Sequence, residues 1–239
     1  MYIFSNDLDQ LVNYLRKSLP RHVHFINSYT CGLMKNNKEY MSIFEEKKSI
    51  NVIDGKLPFI LRKLMSKSSN TFHIRGTDFM RKYLSTDLGG KHFLLGSTPE
   101  TLAKLIINLR NDYGNCTFDG YSPKFGEISK KEMQEIDKRI RNSGANAVWV
   151  GMGTPKQDYI SKFITTNIEV SAFSVGAAFD FLAKTKTEAP IIVSKLGLEW
   201  LFRLLSEPKR LWRRYILVSP VGLILIMHMI EMNESNDHS

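Results

Sequence analysis

Residues 146–160, NAVWVGMGTPKQDYI, predict a buried strand that runs into a glycine-containing loop and then into a helix. The apolar run stops at Gly151 and Gly153, and the chain restarts behind Pro155 with a lysine and a glutamine. Glycine lets backbone N–H groups approach an anion at a helix N-terminus, so this loop suits a phosphate or a sugar. An ordinary turn between a strand and a helix also uses glycine, and this stretch alone leaves both interpretations open.

Short apolar or β-branched runs alternate with helical patterns along most of the chain. The runs are HVHFIN (22–27), SINVID (49–54), KHFLLG (91–96), NCTFDG (115–120), NAVWVG (146–151) and EVSAFSVG (169–176). Two helical patterns, at 98–114 and 129–144, each open with a hydroxyl side chain and close with a glycine. Strands that alternate with helices of this length indicate βαβ units. The sequence therefore predicts an α/β fold: a Rossmann-like, mostly parallel sheet with helices on both faces.

The composition and charge limit the class of partner. A chain of 239 residues suits one large domain, or one domain with an appendage. Its apolar fraction of 43% and charged fraction of 24% are ordinary, whereas its formal net charge of +9 favours an anionic partner. That partner could be nucleic acid, an anionic membrane surface or a phosphorylated ligand. Cys31 and Cys116 form no disulfide framework or metal spacing, and no signal-peptide pattern is apparent, so we expect a cytoplasmic protein.

The composition changes near residue 190, which divides the chain into a domain over 1–190 and an appendage over 191–239. Between 195 and 215 the appendage carries six basic and two acidic residues, with two tryptophans among them. The apolar run at 216–230 is shorter than the roughly 20 residues of a spanning helix. Tryptophan beside arginine, followed by an apolar segment, predicts a helical element that lies in a membrane interface. A packed C-terminal helix with a solvated basic face fits equally well.

Polar residues follow several predicted strands, where ligands bind in open parallel sheets. Asp54 is either a cap on the following turn or a base at the mouth of the sheet. Arg75 could meet a phosphate or carboxylate, or form a surface salt bridge. Gln157 could orient a sugar hydroxyl, or face solvent. Asn27 and Asp180 also follow predicted strands and are candidates for the same site.

Motifs for nucleotide cofactors and metals are absent from the sequence. Neither G-x-G-x-x-G nor G-x-x-x-x-G-K-[ST] occurs, so we expect no dinucleotide and no Walker-type site. Asp7-Leu8-Asp9 has the D-x-D spacing that many sugar transferases use for a metal, but it precedes a helical pattern. Acidic residues are favoured in a first helical turn, and we prefer that interpretation. The histidines show no metal-ligand spacing, so no metal and no cofactor are expected.

Read together, these stretches resemble the WecG/TagA/CpsF family of bacterial glycosyltransferases. The matching stretches, in the family's order, are NVIDG (51–55), IRGTDF (74–79), FLLGSTPE (93–100), AVWVGMGTPKQDYI (147–160), SVGAAFDFLA (174–183) and GLEWLFRLLSEPKRLWRRY (197–215). They span nearly the whole chain. The G-x-G-[ST]-P-K-Q-[DE] loop and the arginine-containing block of the appendage are the specific ones, and they favour the ligand-loop interpretation of the glycines.

The resemblance implies transfer of a sugar, commonly of the N-acetylmannosamine type, from a UDP-sugar to a sugar on an undecaprenyl-diphosphate lipid. It also implies an inverting reaction without an essential metal, at the inner face of the cytoplasmic membrane, with an appendage that completes the site. By position, Asp54 matches the proposed base, and Arg203, Arg210 and Arg213 match appendage arginines, which we expect to stabilise the leaving UDP. The substrate-binding candidates are Asn27, Arg75, Gly151, Gly153, Thr154, Gln157 and Asp180.

The chain departs from the family pattern at three positions. Lys184 and Glu188 replace the glycine and the arginine of the family's FLAG…RAP, and Phe25 replaces a hydroxyl residue. These departures leave the donor sugar unnamed, and a member that only binds sugar nucleotides is an alternative. A basic nucleic-acid-binding module is a weaker alternative, because the charge lies beside tryptophan and an apolar tail instead of along a groove. Homo-oligomer formation is left open.

Overall fold

A six-stranded sheet organises the described part of the chain. The computed structural model describes residues 3–4, 7–65 and 72–237. Its strands are β1 (His22–Ile26), β2 (Ser49–Ile53), β3 (Lys91–Gly96), β4 (Thr117–Tyr121), β5 (Ala147–Gly151) and β6 (Ser171–Ser174). They run in the order β2-β1-β6-β5-β3-β4, and every neighbouring pair is parallel. The predicted α/β fold is confirmed, and this sheet is wholly parallel.

Helices cover both faces of the sheet. Those before residue 190 are α1 (Leu8–Lys17), α2 (Ser28–Lys35), α3 (Lys38–Glu45), α4 (Leu57–Met65), α5 (Gly76–Ser85), α6 (Pro99–Asp112), α7 (Lys130–Ser143), α8 (Lys156–Asn167) and α9 (Ala178–Leu182). The core on one face includes residues of α1, α5, α6 and α9. The cores on the other face include residues of α2, α3, α7 and α8. In a right-handed crossover, the face on which the connecting helix lies depends on whether the next strand is to the left or to the right in the sheet. The helices therefore divide between the two faces according to the strand order.

The helix ends follow the capping residues of the sequence. Thr98 and Ser129 cap α6 and α7, and Gly144 ends α7 in the left-handed conformation with φ of 61°. Asp7 caps α1 by accepting a hydrogen bond from the third residue on, and Asp9 lies in the first turn. The interpretation of Asp7 and Asp9 as residues of a helix start is therefore confirmed.

An aromatic cluster on the first face fixes α5 against the sheet. Trp149 of β5 packs 4.7 Å from Phe173 of β6 and 5.7 Å from Phe79 of α5, measured between ring centroids. Tyr83, one turn further along α5, lies 5.4 Å from Trp149. Aromatic pairs at these separations add to the free energy of burial. Because α5 begins directly after Arg75, the cluster also determines where that side chain starts.

The described part of the appendage is mostly helical, and residues 238–239 lie outside that part. It consists of α10 (Ile191–Lys195), α11 (Glu199–Ser206), α12 (Pro208–Trp212), a π-helical turn (Arg213–Val218) and α13 (Ser219–Asp237). In the described residues, one continuous helix, Pro208–Met232, is long and apolar enough to cross a membrane by length and composition alone. It is longer than the apolar run at 216–230 suggested. Leu211, Ile226 and Ile230 on its inner side are buried in the protein.

Two glycines allow α13 and the preceding turn to pack closely on α2. A methyl group on Gly222 would overlap the backbone oxygen of Ser28, and one on Gly32 would lie 2.5 Å from the backbone oxygen of Val218. Both obstacles are backbone atoms, which cannot move aside as a flexible side chain can. The appendage is therefore seated on the helix that directly follows β1.

We expect Gly222→Ala to lower the free energy of unfolding by about 1–3 kcal/mol, because the added methyl group must push α13 away from α2. In an ordinary helix interior the same change stabilises by about 1 kcal/mol, so the sign of the effect is diagnostic. Urea denaturation followed by circular dichroism would measure it. Gly114→Ala is the control, since its methyl group would lie 3.8 Å from the nearest atom, the Arg110 backbone oxygen. A Gly222→Ala protein more stable than wild type would contradict this packing.

Candidate active site

A cleft of about 590 Å³ lies at the carboxyl ends of the strands. The loop after each strand contributes to its lining, for example through Asn27, Asp54, Ser97, Ser122, Gly153 and Gly176. Seven lining residues are basic and three are acidic. A cavity of this volume holds a small-molecule ligand. The excess of positive charge favours an anionic ligand.

The glycine loop lies at the switch point of the sheet. β3 and β5 are neighbours, but α6 leaves β3 toward one face and α8 leaves β5 toward the other. A crevice opens where connections diverge in this way. Across it, the Ser97 N–H donates to the Gly151 backbone oxygen at 3.2 Å. Gly153 has φ of 78°, a conformation that glycine adopts at little cost. Gly151, Gly153 and Thr154 all line the cleft, as expected.

Gln157 lines the cleft and holds the glycine loop in place. Its side chain is 4% exposed. The amide oxygen accepts from the Gly153 N–H at 3.1 Å, and the amide nitrogen donates to the Ser174 backbone oxygen at 3.2 Å and to the Thr154 hydroxyl at 3.5 Å. Both ends of the amide are therefore bonded to the loop and to β6. Direct contact with a sugar hydroxyl stays a prediction.

A buried hydrogen-bonded network, not expected from the sequence, supports the first turn of α8. Asp158 accepts from the Tyr40 hydroxyl at 2.7 Å and is bonded to Nδ1 of His24 at 2.7 Å. Nε2 of His24 is in turn bonded to Nδ1 of His22 at 2.7 Å. Residues two apart on a strand share a face, so the spacing of the two histidines in β1 was the available signal. These hydrogen bonds connect α8 to β1 and α3, and so hold Gln157 beside the glycine loop.

Asp54 follows β2 and is half-buried at the edge of the cleft. Burial raises the pKa of its carboxyl to about 6, and the neighbouring Glu199 carboxylate also raises it. The guanidinium groups of Arg75, Arg203 and Arg214 lower that pKa, though by less than the rise. A carboxylate with this pKa is largely ionised at pH 7, and it is a stronger base than an exposed aspartate.

Arg75 lines the cleft and joins the domain to the appendage. Its Nη2 lies 3.0 Å from Glu188 and its Nε lies 3.2 Å from Glu199 of α11. Glu188 is also paired with Arg81. The acidic residue at the family's arginine position is thus enclosed by two arginines. Its charge offsets much of theirs, so this side of the cleft is less positive than an arginine would make it.

The other two departures from the family pattern also have structural counterparts. Lys184 adopts φ of 56°, in the left-handed region, so the family's glycine at this position suits the backbone conformation. A non-glycine residue there is strained by about 1–2 kcal/mol. Phe25 is buried, lines the cleft floor and packs 5.2 Å from Phe79 between ring centroids. Phe25 therefore places an apolar surface where the family has a hydroxyl.

Asp180 and Asn27 line the cleft, and each also has a partner within the protein. The Asp180 carboxylate lies 2.9 Å from the Lys186 ammonium, which is 3.2 Å from Glu207 in the appendage. The Asn27 side-chain oxygen caps α2 by accepting from the backbone N–H groups at 29 and 30. The amide nitrogen of Asn27 is the part of that side chain left to meet a ligand, since its oxygen is occupied.

The appendage arginines separate into two groups. Arg203 and Arg210 line the cleft, as predicted. Arg213 does not: it is exposed, and its guanidinium lies 5.3 Å from the Trp212 ring centroid. Arg214 lines the cleft instead, with its guanidinium 4.5 Å from the Tyr29 ring centroid. Burial lowers the pKa of Arg214, and its Nε has no hydrogen-bond partner among the described residues, which leaves a donor for a ligand.

One group of side chains in the described ranges has the ligand types of a metal site: Asp87, His92 and Cys116. It lies at the amino end of β3, away from the cleft. Trp149 Nε1–H donates to His92 Nδ1 at 3.3 Å, so the proton of neutral His92 is on Nε2, which faces Asp87 at 3.2 Å. A metal-binding histidine carries its proton on the nitrogen turned away from the metal. This group is therefore arranged as a hydrogen-bonded cluster.

Fold and cleft together fit an α/β protein that binds an anionic ligand at the carboxyl edge of a parallel sheet. Comparison with known families narrows this class. Residues 3–235 match the glycosyl transferase WecG/TagA/CpsF family, which covers nearly the whole chain. The chain belongs to this family and is a glycosyltransferase.

The raised pKa of Asp54 makes a prediction about stability. The folded protein holds the Asp54 proton more tightly than the unfolded chain, so this group destabilises the fold increasingly as the pH rises from 4 through about 6. Asp54→Asn removes that cost. We expect the variant to gain up to about 3 kcal/mol relative to wild type between pH 4 and pH 8. Urea denaturation at both pH values would test this, with the exposed Asp112→Asn as control. If the variant and wild type differed in their free energy of unfolding by the same amount at both pH values, the raised pKa of Asp54 would be contradicted.

Proposed function

We propose that this glycosyltransferase moves a sugar from a UDP-sugar to an acceptor sugar carried on undecaprenyl diphosphate, with inversion and without a metal ion. The donor is of the N-acetylmannosamine type or related to it, and the product enters surface-polysaccharide or teichoic-acid-type synthesis. Membership of the family supplies the reaction class. The observation that carries the proposal is the position of Asp54, with its raised pKa, in a basic cleft.

Asp54 is the general base of the proposed reaction. The acceptor hydroxyl attacks the anomeric carbon, and its proton passes to the Asp54 carboxylate. The bond between the anomeric carbon and the diphosphate oxygen breaks, and its electron pair leaves with UDP. A pKa of about 6 lets the group be ionised at pH 7 and still accept a proton as the new bond forms.

The appendage arginines neutralise the leaving UDP. Negative charge grows on the diphosphate as the bond breaks, and cations already in position stabilise it without reorganisation. Arg203, Arg210 and Arg214 line the cleft. Arg203 and Arg214 also lower the pKa of Asp54, so both guanidinium groups lie near the proposed base as well as in the cleft. We include Arg214 in this role and assign Arg213 to the membrane surface.

We expect Asp54→Asn to lower kcat by about 10²–10⁴-fold, because the amide cannot accept the proton. The dissociation constant for the UDP-sugar should change little, since the donor does not depend on that proton transfer. A radiolabelled donor-to-lipid assay with a short-chain lipid-diphosphate acceptor measures the first quantity, and isothermal titration calorimetry measures the second. Asp112→Asn again serves as the control.

Full activity of Asp54→Asn would remove the base assignment. A different result would support the alternative of a binding protein without transfer: wild type binds UDP-sugars yet transfers none of several tested donors. The negative charge of Glu188 and the left-handed backbone of Lys184 are the two features that favour this alternative.

The outer side of the appendage helix is the proposed membrane-binding surface. Ile216 and Leu217 are each 59% exposed, and Ile224 is 73% exposed. Lys209 and Arg213 are exposed near them in sequence. Each basic residue close to an anionic surface adds about 1 kcal/mol of binding, and insertion of the apolar side chains adds to that. The inner side of the helix is packed on α2, so a spanning orientation would draw the folded domain into lipid. We propose a peripheral position on the inner face of the cytoplasmic membrane.

A triple variant, Ile216→Gln, Leu217→Gln and Ile224→Gln, tests this surface without opening the core. We expect at least a 100-fold loss of binding to anionic vesicles, since each exposed apolar side chain contributes roughly 1.5 kcal/mol or more on insertion. Transfer to a water-soluble acceptor should persist while transfer to a vesicle-embedded acceptor falls. Leu19→Gln with Leu88→Gln is the control, because both residues are exposed and lie before β1 and β3. Unchanged vesicle sedimentation together with loss of self-association would identify the surface as a contact between copies of this chain.

A further inference from the structure

Glu199 is an acidic side chain of the appendage that lines the cleft. It lies in the first turn of α11, and its carboxylate accepts from the Ser194 hydroxyl at 2.8 Å. A negative charge in a cleft that binds a diphosphate weakens that binding, because like charges repel. The reaction proposed above gives Glu199 no part. What Glu199 contributes in return depends on its two neighbours, Arg75 and Asp54.

Arg75 is paired with three carboxylates, none of which is that of Asp54. Its Nε lies 3.2 Å from Glu199, its Nη2 lies 3.0 Å from Glu188 and its Nη1 lies 3.8 Å from Asp78. All three nitrogens of the guanidinium group are therefore engaged. Among the described residues the Asp54 carboxylate has no ion pair, even though Arg75 is close enough to lower its pKa. Without its present partners, Arg75 would be free to pair with Asp54.

Among the charged groups around Asp54, the Glu199 carboxylate has the largest effect on the Asp54 pKa. Burial raises that pKa most and Glu199 raises it further, whereas Arg75, Arg203 and Arg214 each lower it by a smaller amount. Two carboxylates that share a site disfavour the ionised form of each other. The result is a carboxyl group whose pKa, about 6, lies close enough to neutral pH for it to act as a base.

The other titratable group beside this pair carries little charge at neutral pH. His73 lies two residues before Arg75, and burial lowers its pKa. The positive charges of Lys56 and Arg75 lower that pKa further, whereas Glu199 raises it, though by less than burial lowers it. A histidine whose pKa is below its usual value is mostly neutral at pH 7. His73 therefore adds no competing positive charge to the pair formed by Glu199 and Asp54.

We propose that Glu199 is a positioning residue for the general base: it engages Arg75 and holds a like charge beside Asp54, so that the Asp54 carboxylate stays unpaired and able to accept a proton. This inference rests on the proposed function and adds to it a residue that acts through Asp54. Glu199 exchanges no proton itself, since the proton of the acceptor hydroxyl passes to Asp54 alone. An ion pair between Arg75 and Asp54 would instead stabilise the ionised carboxylate and weaken it as a base.

The pH dependence of kcat in the full-length protein tests the proposal, with Glu199→Gln removing the charge while keeping the size of the side chain. We expect the acid limb of the profile to move down by about 1 pH unit, because Asp54 loses a like charge and Arg75 becomes free to approach it. On the plateau kcat should fall by no more than about tenfold, the largest effect of one unit of basicity. Glu199→Asp retains the charge and should keep the acid limb near that of wild type. Glu207→Gln is the control, because Glu207 is also an appendage carboxylate paired with a domain residue, Lys186, at 3.2 Å.

A second measurement needs no sugar transfer. The difference in free energy of unfolding between wild type and Asp54→Asn, followed by urea denaturation from pH 4 to pH 8, reports the pKa of Asp54 in the folded protein. The same comparison is made between Glu199→Gln and the double variant. Because Glu199 raises the pKa of Asp54, we expect that pKa to be about 1 unit lower in the Glu199→Gln background.

Two results would overturn the inference. An acid limb and an Asp54 pKa that both stay at their wild-type values in Glu199→Gln would show that Glu199 does not act on the base. An equal shift of the acid limb in Glu207→Gln would show that any lost contact of the appendage has the same effect. Failure of the proposed function looks different: the stability measurements would still show the lower Asp54 pKa, while wild type itself would transfer no sugar.

Discussion

The close contact between α2 and the appendage helix is the constraint on which the proposed reaction depends. α2 starts directly after β1, so an element packed on it is held beside the strand ends. Gly32 and Gly222 let the two helices approach until backbone faces backbone. In that position the guanidinium of Arg214 lies over Tyr29, in the first turn of α2. The positive charge of Arg214, near the C-terminal end of the sequence, therefore lies in a cleft formed by the loops that follow the strands.

The charges around Asp54 show how the appendage conditions the base. Glu199 raises the pKa of Asp54, and Arg203 and Arg214 lower it. All three belong to the appendage, while Arg75 of the domain pairs with Glu199 at 3.2 Å. Without the appendage, Asp54 would lose the charges that raise its pKa and those that lower it, together with part of its burial. The reactivity of the carboxylate and the positive charge beside it therefore both depend on how residues 199–214 pack in this structure.

Local sequence signals predicted the sheet and one edge of the site well. Period and capping are local properties, so runs such as 146–151 and caps such as Ser129 identify elements without knowledge of their neighbours. In a parallel sheet every strand ends at the same edge, and this rule alone brought Asp54 near the glycine loop. The rule could not show that the Gln157 amide would hydrogen-bond to that loop, or that Glu188 would lie between two arginines. Those pairings join residues that are remote in sequence.

The sequence by itself determined the alternation of strands and helices, the helix ends, and the family, because each is written in short contiguous patterns. Only the tertiary structure decided which appendage arginine enters the cleft. Residues 213 and 214 are equally basic neighbours, and a regular helix beginning at Pro208 gives no reason to choose between them. The π-helical turn at Arg213–Val218 and the packing on α2 orient Arg214 inward and leave Arg213 on Trp212. Direction around a helix depends on what the helix packs against, and that partner lies almost 200 residues earlier in the chain.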